Sequence, residues 1–413
     1  MSAWRRGGSA MHSGGCGLRA RRASAALVVG AVVLLSGCSG GGGSPSGAGT
    51  PSAVASAGGP DSPGSGAPTS AEAPAPKPAG DGSLVYVAGG NVSKVFGVNA
   101  ANGEQVWGSP VPARQGTVAY SSQQVVGGTL YVSTGASVLA LDPKTGKMLR
   151  TYTLPAPAMP YLQTGGMPAV VGNSLYVYRS DGTLYAFDVA TGAQLWNDGN
   201  GTGALQNRGV IGRPVVGEDE IFMPNPGLPV NACINAKTGA KLWGNTDLNA
   251  AGAAFGGTSV YVDGYTQRSG QLPVYVVEAM DAATGAVKWT WTAAGATSAP
   301  AFANGTVYVL QGSSVFALDA ATGWQTWTST VPDRDYSAVP TIANGRVYLT
   351  GYEGAIYTFD ATTGAAGWST ESTGSQVEVT VNGDTAYLSD RDGNLTAMDA
   401  ATGKSRWTHG PYT

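Results

Sequence analysis

"ALDAATGWQTW" occupies residues 317–327, and the same eleven-residue pattern occurs eight times in a chain of 413 residues. The other copies are "GVNAANGEQVW" (97–107), "ALDPKTGKMLR" (140–150), "AFDVATGAQLW" (186–196), "CINAKTGAKLW" (233–243), "AMDAATGAVKW" (279–289), "TFDATTGAAGW" (358–368) and "AMDAATGKSRW" (397–407). Each begins on a small residue and a large apolar one, followed by Asp in six copies and by Asn99 or Asn235 in the other two. Thr stands three residues further on, with Asn102 in its place in the first copy, and Gly comes next in all eight. Seven copies end on Trp, and Arg150 ends the second.

Each column has a physical reason. Runs such as "TLYAFD" (183–188) and "SVFALD" (314–319) precede the turn and are β-branched and aromatic, as strands require. They are apolar on both faces, so each sheet is covered on both sides. The Asp or Asn ends the strand by accepting backbone N–H groups of the turn, Thr adds a hydroxyl bond, and Gly supplies the positive φ that closes a hairpin. The returning strand then carries a Trp large enough to wedge against a neighbouring sheet.

Upstream of each copy lies another strand pattern, for example "LVYV" (84–87), "LYVS" (130–133), "IFM" (221–223) and "VYVL" (307–310). Asn304-Gly305, Asn344-Gly345 and Asn382-Gly383 signal tight turns from a further strand such as "APAFA" (299–303) or "AVPTIA" (338–343). Each unit is therefore four short strands. The repeat glycines are spaced 43, 46, 47, 46, 38, 41 and 39 residues apart. Four antiparallel strands at that period, buried on both faces, predict an all-β, eight-bladed β-propeller of four-stranded antiparallel blades, preceded by a disordered tether. In the first unit "PAPKPAGDG" stands where an innermost strand belongs, so either the final "THGPYT" (408–413) supplies one or that blade has three strands.

The pattern A-x-D-x-x-T-G-x-x-x-W resembles that of pyrroloquinoline quinone (PQQ)-type propeller repeats, from Ser83 to the C-terminus. In architecture the chain is similar to the lipoprotein propellers of outer-membrane assembly and to the propellers of quinoprotein dehydrogenases. For the second group the resemblance implies PQQ, Ca²⁺, a catalytic Asp and adjacent cysteines. This chain has Cys16, Cys38 and Cys233, none of them adjacent, and the expectation is no cofactor.

The repeat also absorbs several apparent motifs. Cys233 falls in the small-residue column of a buried strand, "GKS" (403–405) is a hairpin turn, and the six repeat aspartates are one per blade and structural. "DRDGN" (390–394) misplaces its glycine for a calcium loop. With only His12 and His409 in the chain, a histidine-based catalytic or metal site is not expected, so no catalytic residues and no metal ligands are assigned.

Three segments follow. Residues 1–37 read as a signal peptide: Arg5, Arg6, Arg19, Arg21 and Arg22, then the apolar run "ASAALVVGAVVLL" (23–35), too short to span a bilayer. The "LSGC" that follows (35–38) resembles the bacterial lipobox, which implies cleavage after Gly37 and lipidation of the Cys38 thiol. Translation from Met11 leaves this reading unchanged, and the flanks of Arg21-Arg22 fit general secretion better than twin-arginine export. Residues 38–82 are the lipidated Cys and a Gly/Ser/Pro/Ala linker without a core, with a reach of roughly 35 Å, and residues 83–413 are the propeller.

Without the five signal arginines, 18 basic residues face 26 acidic ones, and no basic stripe exists to follow a phosphate backbone. Nucleic acid is not an expected partner. The family resemblance implies that loops between second and third strands and between successive blades share one face. Those loops carry Arg179, Arg208, Arg213, Asp333, Arg334, Asp335, Tyr336, Tyr352, Glu353 and Arg391, the candidate binding face. The expected function is a monomeric, lipid-anchored, extracytoplasmic module at the cell membrane that binds or scaffolds other envelope proteins without catalysis. A PQQ/Ca²⁺ dehydrogenase and a sugar-sensing propeller are the alternatives.

Overall fold

The computed structural model describes residues 84–88, 94–111, 123–134, 137–155, 168–178, 183–197, 215–224, 231–245, 247–267, 270–332, 339–351, 354–371, 377–390 and 394–412. Cys38 and the segments expected to be a signal peptide and a linker lie outside them.

The described residues form eight antiparallel sheets and no helix. Blades 1 to 8 span residues 84–110, 123–153, 169–197, 215–245, 249–293, 301–330, 341–369 and 377–409. Within each blade the strands pair in chain order, the innermost first. Successive innermost strands of blades 2 to 8 lie against one another around the axis. Blade 8 packs on blade 1 through Val85, Val87 and Phe96 on one side and Tyr387, Leu395 and Ala397 on the other, which closes the ring.

The sequence expectation of four strands holds in seven blades. Blade 1 has three among the described residues: Leu84–Ala88, Lys94–Asn99 and Gln105–Pro110. The C-terminal residues do not supply its innermost strand. Residues 405–409 are the outermost strand of blade 8, and the Tyr412 hydroxyl donates to the Gly103 carbonyl at 2.9 Å, on the outer hairpin of blade 1. The tail thus clasps the rim, with the Tyr412 ring 5.9 Å from that of Phe96.

Two of the three predicted tight turns fall on the expected residues: Asn304 and Asn344 adopt φ 50°, with φ 76° and 69° at the glycines that follow. The third is shifted by one. Asn382 still pairs with Thr385, so Gly383 and Asp384 are the central residues, with Gly383 at φ 54°.

The eleven-residue repeat is the joint between blades. In blade 6, Asp319 Oδ1 accepts the backbone N–H of Ala321 and Thr322 and the Thr322 hydroxyl, at 3.2, 2.9 and 2.7 Å. The Thr322 hydroxyl oxygen in turn accepts the N–H of Trp324. The two threonine bonds, from its backbone N–H and its hydroxyl, recur around Asp188, Asn235, Asp281, Asp360 and Asp399. The carbonyl just after the Asp or Asn accepts the indole N–H of the preceding blade's Trp. Seven such bonds, from Trp107, Trp196, Trp243, Trp289, Trp327, Trp368 and Trp407, are 2.8 to 3.2 Å long. The last runs from blade 8 to Ala100 of blade 1.

Where Arg150 replaces Trp, its guanidinium donates to the carbonyls of Thr191 and Ala190 in blade 3, so the joint persists with different chemistry. The repeat glycine meets two demands. Gly323 sits at φ 74°, and a Cβ there would come within 2.7 Å of the Trp289 ring, so the indole of one blade lies flat on the glycine of the next.

The "LYV"-type strands contribute a bond that the pattern did not announce. The hydroxyls of Tyr176, Tyr261, Tyr308, Tyr348 and Tyr387 donate to the same carbonyls as the indoles, at 3.0 to 3.3 Å. In blade 4 the equivalent residue is Phe222, and there the Cys233 thiol faces that carbonyl, Ala282 O, at 3.5 Å. The thiol is fully buried, and burial together with Glu220 pushes it up to about 12, an inert core position as expected.

Candidate functional site

Chain order fixes what each face of the ring carries. The first-to-second and third-to-fourth strand turns emerge on one face, where the Asp–Thr–Gly hairpins lie. Second-to-third loops and blade-to-blade connections emerge on the other. All the predicted binding-face residues, Arg179, Arg208, Arg213, Asp333, Arg334, Asp335, Tyr336, Tyr352, Glu353 and Arg391, lie outside the described residues, as does the lipidation candidate Cys38. What the structure places is the frame that flanks them.

That frame is tied down at its described ends. Beside 352–353, the Gly351 N–H donates to Ala355 O at 2.8 Å and the Gly354 N–H to Gly351 O at 3.0 Å. Beside 391–393, Asn394 donates to Asp390 with its backbone N–H and its side-chain amide, both at 2.8 Å. Beside 333–338, the Val331 N–H donates to Ser313 O at 2.7 Å. Loops that leave a rigid scaffold from fixed ends suit binding better than loops that leave a soft one.

Among the described residues, blade 5 has the longest second-to-third-strand hairpin on this face. Its second and third strands, Ser259–Thr266 and Val274–Asp281, have eight residues each, against four to six in the other blades. The added rungs carry Tyr265 and Tyr275, whose rings lie 5.9 Å apart, and the tip exposes Leu272 and Val274. At the base of this extension sits Asp263, 2% exposed, whose Oδ1 has no hydrogen-bond partner. Burial raises its carboxyl to about 8, against smaller opposing pulls from hydrogen bonds of the Gly252 and Asp263 backbones and the Thr297 side chain. The pattern reading passed over this residue. Its one sequence signal was an acid inside the otherwise apolar "SVYVDGYT" (259–266).

The repeat aspartates titrate the other way. Hydrogen bonds from Thr191 hold Asp188 low, and those from Thr284 hold Asp281 low. Asp399 is held down to about 2, first by Arg406 and then by Thr402. One per blade, each is engaged by its own turn, as the sequence predicted. Among the described residues no three His, Cys, Asp or Glu side chains gather into a metal-binding group. No helix of the described residues is long and apolar enough to cross a membrane.

Comparison with known proteins agrees with this architecture. A tetrathionate hydrolase of Acidithiobacillus ferrooxidans is 25% identical over 306 residues, covering 62% of this chain and 58% of that protein. The outer membrane protein assembly factor BamB of Burkholderia pseudomallei is 30% identical over 167 residues, covering 40% of each. The chain thus spans less than two thirds of either relative's length. Among solved structures, the computationally designed Ika8 protein superposes with a TM-score of 0.62 at 14% identity, covering 78% of this chain and 94% of that one, a likeness of fold alone. The family described as "Outer membrane protein assembly factor BamB" matches residues 93–256 and 275–411. With both halves of the ring matched, the chain belongs to that family of PQQ-like-repeat β-propellers.

Proposed function

We propose that this propeller is a non-catalytic scaffold for other cell-envelope proteins. A lipid on Cys38 holds it at the extracytoplasmic face of a membrane, and it engages its partners through the face of second-to-third-strand loops. The observation that carries this reading is the division of labour between the faces. On the hairpin face the repeat carboxylates and threonines are engaged within their own turns and the repeat indoles in joining blades. The charged and aromatic residues of the candidate binding face, Arg334 and Tyr336 among them, belong to connections that leave the opposite face. Membership of a family named for an outer-membrane assembly factor supports the envelope setting. A loop-borne binding surface on a rigid ring also needs no cofactor.

The test is photo-crosslinking in cells from probes at Tyr336 and at Glu104 on the rim hairpin of blade 1, with Cys38→Ala as a companion. Discrete crosslinks from Tyr336, none from Glu104, and release of Cys38→Ala from the membrane fraction are expected. Equal labelling from both positions would refute the scaffold face.

The tetrathionate hydrolase relative supports a second reading, an enzyme on the same fold. It predicts turnover by the purified full chain: of a polythionate, or of an alcohol, read as reduction of an oxidised dye, when PQQ and Ca²⁺ are supplied. Turnover abolished by Arg334→Ala or Tyr336→Ala would replace the scaffold reading.

A further inference from the structure

Asp263 stands in a setting the other blades do not share. The innermost strand of blade 5, Asn249–Gly256, carries a bulge between Ala250 and Gly252, and no other described innermost strand shows a register shift against its neighbour. Bulges re-aim a strand locally. This one brings Gly252 opposite Asp263 and directly against Ala299, at the entry to blade 6. A Cβ on Gly252 would meet the Ala299 side chain and come within 3.0 Å of Asp263 Oδ1. On the blade 6 side, Thr297 forms an isolated bridge with Gln311, and the Gln311 side chain donates to Gly295 O at 3.0 Å. The bulge, the close-approach glycine and the buried acid converge on one inter-blade seam.

Among the described residues no cation answers the acid there. The elements packed around it are Asn249–Gly256, Val274–Asp281, residues 294–300, Ala301–Ala303 and Thr306–Gln311, none of which contains Lys, Arg or His. Their titratable groups are Tyr275, Glu278, Asp281 and Tyr308, and the strand of Asp263 adds Tyr261 and Tyr265. Glu278 pairs with Val262, which packs toward Phe222 of blade 4, while Tyr261 packs toward Val307 of blade 6. By strand alternation Asp263 shares the blade 6 side with Tyr261, and Glu278 is on the other side. An ionised carboxylate at this seam would have a fully buried, unbonded oxygen and no counter-charge, which a neutral carboxylic acid avoids.

We propose that Asp263 is a proton-operated catch between blades 5 and 6: with its proton the seam is closed, and without it this one seam opens to water. In the opening step the carboxyl O–H bond breaks, its electron pair stays on the oxygen, and the proton passes to a base of the solvent. Because burial raises the folded-state value to about 8, above about 3.9 for an unfolded Asp, the folded state holds the proton more tightly. The stabilisation is complete below about pH 4 and is lost as pH rises toward 8. The tall hairpin of blade 5 stands on this seam, so the proton also governs how firmly Tyr265, Tyr275 and Leu272 are presented.

The test compares the full chain with Asp263→Asn from about pH 5 to about pH 9, a range spanning the ordinary and raised carboxyl values. The parent should lose several degrees of thermal midpoint over that range, and the variant should stay level. Amide exchange in 249–256 and 294–300 of the parent should rise roughly tenfold beyond its intrinsic pH dependence, and other seams should not follow. In the parent at about pH 6.5, the infrared band of a neutral carboxylic acid should persist, since exposed carboxyls are ionised there. Parallel melting profiles, loosening spread evenly around the ring, or absence of that band would overturn the proposal. Absence of the infrared band needs only the parent protein and would overturn the proposal even if Asp263→Asn does not fold.

Discussion

The hairpin rim and the seam between blades 5 and 6 treat a carboxylate in opposite ways. At the rim each Asp lies on a sharp turn whose own N–H groups and threonine surround it, so ionisation is favoured: the pKa of Asp142, Asp188, Asp281, Asp319, Asp360 and Asp399 is lowered. At the seam Asp263 is flanked by strands whose N–H groups are mostly engaged in ladders and by a neighbouring blade without cations, so the neutral form is favoured. At the rim the turn itself supplies hydrogen bonds to its carboxylate from residues two and three positions on. Where one blade departs from the repeat, the partners must come from across the ring. Polar groups are therefore robust at the rim and conditional at the seam.

Three experiments break or sharpen that contrast. The largest effect belongs to the joint itself. Trp289 is 9% exposed, lies on Gly323 and donates to Ala320 O at 3.0 Å. Trp289→Ala should lower unfolding stability by ~3–5 kcal/mol, the usual range for a large buried aromatic, read as the denaturant midpoint at unchanged slope. A loss below about 1 kcal/mol would mean that the indole decorates the joint instead of making it.

Acid titration comes second. The rim carboxylates have folded-state values below the unfolded one, so their stabilisation is present above about pH 4 and is lost as pH falls through the folded values, about 2 for Asp399. The thermal midpoint should drop between about pH 4 and about pH 2, and Asp399→Asn should flatten part of that drop while leaving the alkaline limb assigned to Asp263 untouched. If Asp399→Asn altered the alkaline limb instead, the two carboxylate classes would not be independent.

The smallest effect should come from restoring the repeat in blade 2. Arg150 already reaches two carbonyls of blade 3, and the Tyr152 hydroxyl donates to the Val189 carbonyl at 2.9 Å, the bond that an indole makes elsewhere. Arg150→Trp should therefore change stability by no more than ~1 kcal/mol in either direction, again by denaturant midpoint. A gain well above that would show that the guanidinium joint is a weak copy of the indole joint.

Blade number, strand order and the role of each repeat column were legible because hairpin chemistry is local: an acid, a hydroxyl and a glycine at fixed spacing have one good arrangement. Arg150 was visible as an exception, but its solution was not, since its two acceptors lie about 40 residues away. The tyrosines of the second strands were legible as strand residues and not as donors, because their acceptors lie on the next blade. The clasp of Tyr412 on Gly103, 309 residues apart in the chain, was equally out of reach. Among the candidate binding residues the sequence offered only a shared face, and its described frame supports a rigid base for them without placing their side chains.

By itself, then, the sequence determined a closed ring of eight small sheets, because the same local turn repeated at near-constant spacing can bury its apolar faces only against copies of itself. Only the tertiary structure decided how blade 8 meets blade 1, how a joint without indole is made, and that one acid lies at a seam where no described residue offers a cation to answer it. Those outcomes depend on which residues of different blades come within a few ångströms of each other, and chain spacing carries no record of that distance.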